Sequence, residues 1–198
     1  MKKNIYLLMM IFGILVFLPT SALAIKVKLR LDLPLGGSYS VSGLDSFENK
    51  GGFGLGLGVL IPYDPDMDIE TGYEYNNARF SNTSESYKGS YTSHFLKLGI
   101  SYSGLSITDS YQLITGATFD LPVAGNAEVT RKSDQKTTTT GDFGGWGIYA
   151  NAGITNGNMD YYLFYDQRNR SYGLTPPGES EKLSWTTSLY GLGIGFTF

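Results

Sequence analysis

The chain has 198 residues, of which 41% are hydrophobic and 14% aromatic, with 26 glycines and no cysteine. This length fits one domain, and the many aromatic residues exclude a disordered chain and favour β-structure. The formal net charge of -3 offers no basic surface to nucleic acid. A single histidine without cysteine excludes the usual zinc and redox clusters, so we expect no metal site.

The N-terminus has the composition of an export signal. Lys2 and Lys3 precede an apolar run over Tyr6–Leu18, which ends before the small-residue sequence Ser21-Ala-Leu-Ala24. A membrane anchor is the competing interpretation, but a spanning helix needs about 20 apolar residues. We therefore predict a Sec signal peptide over residues 1–24, cleaved after Ala24, and a single folded domain over residues 25–198.

The first segment after this signal alternates strictly between apolar and charged residues. Its apolar set is Ile25, Val27, Leu29, Leu31, Leu33 and Leu35, with Lys26, Lys28, Arg30 and Asp32 between them. A period of two predicts a strand, and this length matches the roughly 9 to 11 residues with which a strand crosses a membrane. The same pattern recurs seven times. The fifth strand is predicted to start at Ile107 and to carry Asp109 on its apolar face, and Asp166 and Arg168 set the facing of the seventh.

The predicted connections alternate between long and short. They cover residues 36–52, 62–66, 76–90, 103–106, 122–142, 155–158 and 169–182. Transmembrane barrels have short turns at one end and long loops at the other, whereas a soluble meander has no reason to sort its connections in this way. Seven connections predict eight strands, with both termini at the short-turn end.

These features, with the terminal sequence Tyr190-Gly-Leu-Gly-Ile-Gly-Phe-Thr-Phe198, resemble the small outer-membrane β-barrels of Gram-negative bacteria, the OmpA/OmpX-like family. The resemblance implies an all-β, eight-stranded antiparallel up-and-down transmembrane barrel with short periplasmic turns and long extracellular loops. It implies a monomeric, non-enzymatic outer-membrane protein without a cofactor, whose loops serve adhesion, host contact or lipopolysaccharide contact. It also implies that the barrel-assembly machinery recognises the C-terminal strand through Tyr190, Leu192, Ile194, Phe196 and Phe198.

Charged side chains are predicted to fill the lumen. The inward positions carry five cations and six carboxylates: Lys26, Lys28, Arg30, Asp32, Asp68, Glu70, Glu74, Lys97, Asp160, Asp166 and Arg168. The interior of an eight-stranded barrel is just wide enough for side chains, so we expect a structural ionic network. The alternative is a proton or ion path through a narrow pore of low conductance.

Three further hypotheses concern the surface. His94, on the lipid-facing parity, permits a lipid A-modifying enzyme as an alternative function, although no carboxylate is expected beside it. Arg131, Lys132 and Lys136 are candidates for contact with lipopolysaccharide phosphates. Aromatic belts are predicted at the two membrane interfaces, formed by Tyr63, Tyr102, Tyr161 and Phe198 and by Phe53, Tyr75, Phe119 and Trp146. A soluble lipocalin-like barrel is disfavoured because the charges lie opposite the aliphatic faces.

Overall fold

The computed structural model describes residues 25–41, 46–82, 86–140, 144–171 and 184–198, so the predicted signal peptide lies outside the described part of the chain. All regular structure in these ranges is strand, and none of it is a helix that could cross a membrane. The strands are β1 (Lys26–Val41), β2 (Phe47–Asp64), β3 (Met67–Asn82), β4 (Tyr87–Thr108), β5 (Tyr111–Arg131), β6 (Thr137–Thr140), β7 (Gly144–Thr155), β8 (Met159–Ser171) and β9 (Ser184–Thr197).

Eight of these strands form one closed antiparallel barrel. Each barrel strand pairs with its neighbours in sequence, and β1 pairs with β9, which closes the ring. Val27 and Phe198 exchange backbone hydrogen bonds of 3.0 and 2.9 Å, so the closing ladder extends to Phe198. The short β6 pairs with the far part of β5 and, within the described residues, with no other strand. The prediction of an eight-stranded up-and-down barrel is confirmed.

The barrel has two unlike ends. At the turn end lie the start of β1, the end of β9 and the connections 65–66, 109–110 and 156–158. The opposite end, which we call the loop end, is built largely from strand. Residues 36–41, 47–52, 76–82, 87–90 and 122–131, all predicted as loop, are strand in the structure. The strands therefore continue well beyond the segments that the apolar alternation predicts.

The predicted turn at residues 103–106 is wrong. β4 continues to Thr108, and the turn is formed by Asp109 and Ser110. The Thr108 hydroxyl accepts hydrogen bonds from the backbone amides of Ser110 and Tyr111, at 3.3 and 3.2 Å, which fixes this position. Ile107 therefore belongs to β4, and Asp109 lies in the turn rather than on an apolar face. Two register shifts in β4, after Tyr102 and after Ser106, obscure the alternation there.

A similar shift in β1 changes which face its odd-numbered residues occupy. Leu31 and Leu33 point outward below the irregularity between Pro34 and Gly36, whereas Tyr39 above it is fully buried inside the barrel. The bulge adds one residue and so inverts the parity of the strand. β1 thus presents leucines outside near the turn end and an aromatic ring inside near the loop end.

The outer surface also changes character near the height of the β1 bulge. Toward the turn end it is an apolar band to which every barrel strand contributes, including Leu29, Leu55, Ile69, Leu98, Leu113, Ile148, Leu163 and Leu192. Aromatic rings mark the edge of this band toward the loop end. The ring centroids of Phe53 and Tyr75 lie 5.9 Å apart, and those of Phe119 and Trp146 lie 6.4 Å apart. We call these four rings the aromatic belt. Above it the outward positions are polar.

Candidate functional site

The lumen toward the turn end contains a layer of charged side chains. Of the eleven lumenal residues predicted from the sequence, ten are at most 9% exposed: Lys28, Arg30, Asp32, Asp68, Glu70, Glu74, Lys97, Asp160, Asp166 and Arg168. Lys26 lies at the turn end with its side chain 45% exposed and contacts Asp68 at 3.5 Å. We call this group, together with Asp120, the ionic layer. Successive side chains of a strand point to opposite faces, and each of these residues lies at a position whose side chain points into the lumen.

Arg168 on β8 lies at the centre of the layer. Its guanidinium contacts three carboxylates, with Nη2 2.6 Å from Glu74 and 3.3 Å from Asp120, and Nε 2.6 Å from Asp166. Lys97 on β4 contacts Glu74 as well, and lies 3.2 Å from Asp120. Arg168 and Lys97 thus share two carboxylates, and these four side chains come from four strands. All four, and Asp166 as well, are almost completely buried.

A second set of contacts lies nearer the turn end. Arg30 contacts Glu70 at 3.0 Å, and Lys28 contacts Asp160 at 2.7 Å. Arg30 also approaches Glu74 to 3.9 Å, which connects this set to the central cluster. Buried ions are stable only when they are paired and their remaining donors and acceptors are satisfied, so the removal of one partner is expected to be costly.

Aromatic rings complete this part of the lumen. Tyr149 and Tyr162 donate hydroxyl hydrogen bonds of 3.2 and 2.8 Å to Asp32, which has no cation within ion-pair distance in the described residues. The Lys97 ammonium lies 3.9 Å from the centroid of the Tyr149 ring, and the Arg168 guanidinium lies 3.9 Å from that of Phe95. Cation–π contacts of this kind strengthen where water is excluded.

Sequence reasoning missed one member of the layer. Asp120 on β5 is fully buried, contacts both Lys97 and Arg168, and accepts a 2.9 Å hydrogen bond from Thr118. The signal was available, because Asp120 is next to the outward Phe119 and shares the inward parity of Thr118. With Asp120 the layer has five cations and seven carboxylates, rather than the predicted five and six.

The lumen toward the loop end has the opposite chemistry. It holds an apolar cluster of side chains that are at most 4% exposed: Tyr39, Phe47, Ala78, Phe80, Tyr91, Ala127, Val129, Trp185 and Leu189. Ring centroids lie 4.7 Å apart for Phe80 and Trp185, and 5.4 Å apart for Phe47 and Phe80. We call this cluster the aromatic core. Sequence reasoning missed it because most of its members were assigned to loops.

The two clusters leave little space in the lumen. A cavity of about 130 Å³ at the turn end is lined by Lys28, Asp68 and Asp160, among others. Beyond it, the ionic layer and then the aromatic core fill the cross-section with buried side chains. No group of three or more metal-binding side chains suited to an ion occurs in the described part of the chain.

His94 lies on the outer surface at the height of the aromatic belt. Its Nδ1 atom is hydrogen-bonded to the Tyr73 hydroxyl, and its ring centroid lies 5.8 Å from Tyr73 and 5.2 Å from Tyr75. Its cross-strand partner on β5 is Ala124. Among the described residues no carboxylate contacts the imidazole, so this site lacks the group that orients a catalytic base.

The remaining predicted residues lie on the surface. Tyr190, Leu192, Ile194, Phe196 and Phe198 are between 36% and 73% exposed on the outer face of the closing strand. In the β5–β6 hairpin, Arg131 contacts Asp134 at 2.5 Å and Lys136 contacts the same carboxylate at 3.7 Å. Two of the three cations proposed to contact lipopolysaccharide are therefore paired locally.

No protein-family model and no curated protein matches the chain. Solved structures match in fold. The outer membrane protein OprG from Pseudomonas aeruginosa is 12% identical over 88% of this chain and 95% of that chain, with a TM-score of 0.50. Neisserial surface protein A is 17% identical over 88% and 97% of the two chains, with a TM-score of 0.44. Ail from Yersinia pestis is 12% identical over 87% and 98%, with a TM-score of 0.43. At these identities the likeness concerns the fold alone.

Proposed function

We propose that the protein is an integral outer-membrane barrel of Gram-negative bacteria that acts as a structural and cell-surface interaction protein, with a lumen that does not conduct. The observation that carries this proposal is the closed ring of strands with an apolar outer band and a filled interior. Exposed leucine and isoleucine around a whole ring are unfavourable in water and favourable in lipid. The strands that project beyond the band provide the surface for contacts at the cell exterior.

The proposal includes the route to the membrane. Residues 1–24 direct Sec export, and the outward side chains of β9 from Tyr190 to Phe198 are read by the barrel-assembly machinery. His94 receives no catalytic role, since no carboxylate in the described residues supports it. The charged lumen is assigned a structural role rather than an ion path, because cations and carboxylates pair within it.

Membrane insertion is tested by extraction and gel migration. The protein purified from outer-membrane fractions should require detergent and should migrate differently before and after boiling, because the folded barrel resists unfolding in detergent. Recovery as a stable monomer without detergent contradicts the proposal. A soluble control carrying the same signal peptide excludes artefacts of fractionation.

The closed lumen is tested by conductance in planar bilayers. We expect no stepwise current from the wild-type protein, because the aromatic core blocks the lumen toward the loop end. A triple variant F80A, Y91A and W185A, which truncates three core rings, should still show no current, because the ionic layer closes the rest of the lumen. Regular current steps from the wild type contradict the proposal of a closed lumen, but they do not contradict the proposal that the barrel inserts into the membrane.

A further inference from the structure

One side of the outer surface carries a group of cations above the aromatic belt. Lys50, Arg79 and Lys88 project from the neighbouring strands β2, β3 and β4, and all three are exposed. Arg79 pairs with Ser90 and Lys88 pairs with Ser81, so the two cations are diagonal neighbours across β3 and β4. Lys50 lies in the β2 bulge opposite Arg79.

These cations line a surface cavity of about 360 Å³, which we call the anion cleft. Its other polar lining residues include two serines and one carboxylate, namely Ser81, Ser90 and Glu128. Arg79, Ser90 and Glu128 form one continuous row across β3, β4 and β5. The cleft thus combines guanidinium and ammonium donors with hydroxyl groups and a single carboxylate.

The bulge that places Lys50 beside the cleft is held from inside the barrel. The Asn49 side-chain oxygen accepts hydrogen bonds of 3.2 Å from both the Tyr39 hydroxyl and the Gly51 amide. Gly51 has a φ of 108°, a conformation that glycine adopts without strain. Tyr39 belongs to the aromatic core, so the position of Lys50 depends on the packing of the lumen.

The cations of the cleft are incompletely neutralised. Lys50 contacts Glu48 at 2.7 Å, but both side chains are half exposed. Arg79 and Lys88 form no ion pair within the described residues, unlike Arg131 and its partner in the β5–β6 hairpin. Like charges on adjacent strands repel one another, so a bound anion would relieve the repulsion.

The opposite side of the barrel differs at this height. Its outward residues on β8, β9 and β1 are neutral, and they include Gln167, Asn169, Ser188, Ser38 and Ser40. Among the side chains described, the charged positions at this height are therefore confined to the side formed by β2 to β5. A ligand bound at one place requires charged side chains on one side of the barrel. Charges that serve only to keep the protein soluble can be distributed around the whole barrel.

We propose that the anion cleft binds a phosphorylated glycolipid of the surrounding leaflet through its phosphate. Arg79 offers paired donors to phosphate oxygens and Lys88 adds a second charge, while Ser81, Ser90 and Glu128 bond to sugar hydroxyls. The cleft lies above the apolar band and the aromatic belt, the height at which headgroups meet the protein. This inference rests on the proposed function, because the lipid is presented at this height only if the barrel spans the membrane.

The test measures binding of bis-phosphorylated lipid A to the full-length mature protein in detergent micelles by native mass spectrometry. The double variant R79Q and K88Q should bind the lipid at least about tenfold more weakly, because it loses the charged hydrogen bonds that Arg79 and Lys88 donate to the phosphate. The double variant R131Q and K136Q removes the same number of charges from the hairpin, the competing site suggested by the sequence. Because Asp134 already pairs with both cations, we expect this variant to change binding less than about twofold. Lipid A without phosphates should bind the wild type as weakly as the phosphorylated lipid binds the double variant.

Other outcomes overturn the inference. Equal binding by the double variant excludes the cleft, and equal loss in the hairpin control indicates general electrostatic attraction. Full competition by millimolar inorganic phosphate identifies a site for the free ion, and capture of an acidic protein domain without loss of lipid binding identifies a protein site. Heat-modifiable migration of every variant reports folding of the barrel separately, so a failure of lipid binding and a failure of membrane insertion are distinguishable.

Discussion

The ionic layer and the aromatic core occupy the same lumen and have opposite chemistry. Around the ionic layer the outer surface is apolar, and around the aromatic core it is polar. The alternation of hydrophobic and polar residues is therefore inverted between the two halves, and the bulge in β1 is one point of inversion. In the half with an apolar exterior, charges inside oppose a slip in register, because a slip of one residue would move them to the apolar outer face.

The loop-end half follows the rule of soluble proteins. Its outward side chains meet water, so burial of aromatic rings in the lumen stabilises it through the hydrophobic effect. One set of strands thus carries apolar residues outside over one part of its length and inside over the other. Three substitutions test whether the two clusters stabilise the barrel in these different ways, and a fourth concerns the exposed β5–β6 hairpin.

The largest effect is expected for Arg168→Met. The variant keeps much of the side-chain length but removes the cation beside Asp166 and leaves Lys97 to neutralise Glu74 and Asp120. Loss of one buried partner costs about 3 to 5 kcal/mol. Urea unfolding in lipid vesicles, followed by tryptophan fluorescence, measures the change in the free energy of unfolding. Arg131→Met is the control, because water screens an exposed pair and the same substitution there should change the free energy of unfolding far less. Equal effects of the two variants contradict a special role for the ionic layer.

Phe80→Ala should destabilise the other half. Phe80 is 1% exposed and contacts Trp185 and Phe47, so its truncation is expected to cost about 3 kcal/mol. Amide hydrogen exchange should accelerate in the loop-end half and stay unchanged around the ionic layer. Phe53→Ala, at a ring on the outer surface, serves as the control. Uniform acceleration along all strands shows that the two clusters do not act separately.

Gly193→Ala tests the packing of the ionic layer. An added Cβ at Gly193 overlaps the Tyr162 ring and lies 2.6 Å from Asp32 Oδ1, so it disturbs the tyrosine hydrogen bonds to Asp32. Overpacking of this kind costs about 1 to 3 kcal/mol. Gly58→Ala is the matched control, because its added Cβ meets nothing closer than 3.6 Å. The urea midpoints of the two variants should separate, and coincident midpoints contradict the packing described.

The smallest effect concerns the β5–β6 hairpin and its pH dependence. A hydrogen bond from Arg131 lowers the pKa of Asp134 below its ordinary value. Because the pKa of Asp134 is lower in the folded than in the unfolded state, ionised Asp134 contributes to the stability of the hairpin. This contribution is complete above about pH 4, the pKa of an unfolded aspartate, and is lost as pH falls toward the folded pKa. The Lys136 amide, which donates a 3.2 Å bond to Asp134, should lose its protection from exchange in that range. Asp134→Asn should abolish this dependence, and an unchanged profile in that variant contradicts the assignment.

The sequence predicted the half with the apolar exterior well and the loop-end half poorly. Alternation identified the inward face of β8 from Asp166 and Arg168, because apolar residues outside and charges inside differ sharply in hydropathy. Phe80 lies in a predicted connection rich in serine, threonine and asparagine, where an inverted alternation resembles a loop, and Trp185 precedes the apolar alternation that begins at Tyr190 in the last predicted strand. The anion cleft depends on the bulge at Lys50, and bulges leave only a weak signal in one sequence.

The hairpin formed by β5 and β6 has a practical consequence. Within the described residues β6 bonds only to β5, so residues 133–136 lie outside the ring of hydrogen bonds that closes the barrel, whereas the Lys132 amide donates a 2.8 Å hydrogen bond to the Ser86 carbonyl. A peptide inserted between these residues lengthens a surface ribbon and leaves every barrel pairing in register. If the loop end faces the cell exterior, as proposed above, the position is suited to the display of an epitope or an affinity tag on whole cells.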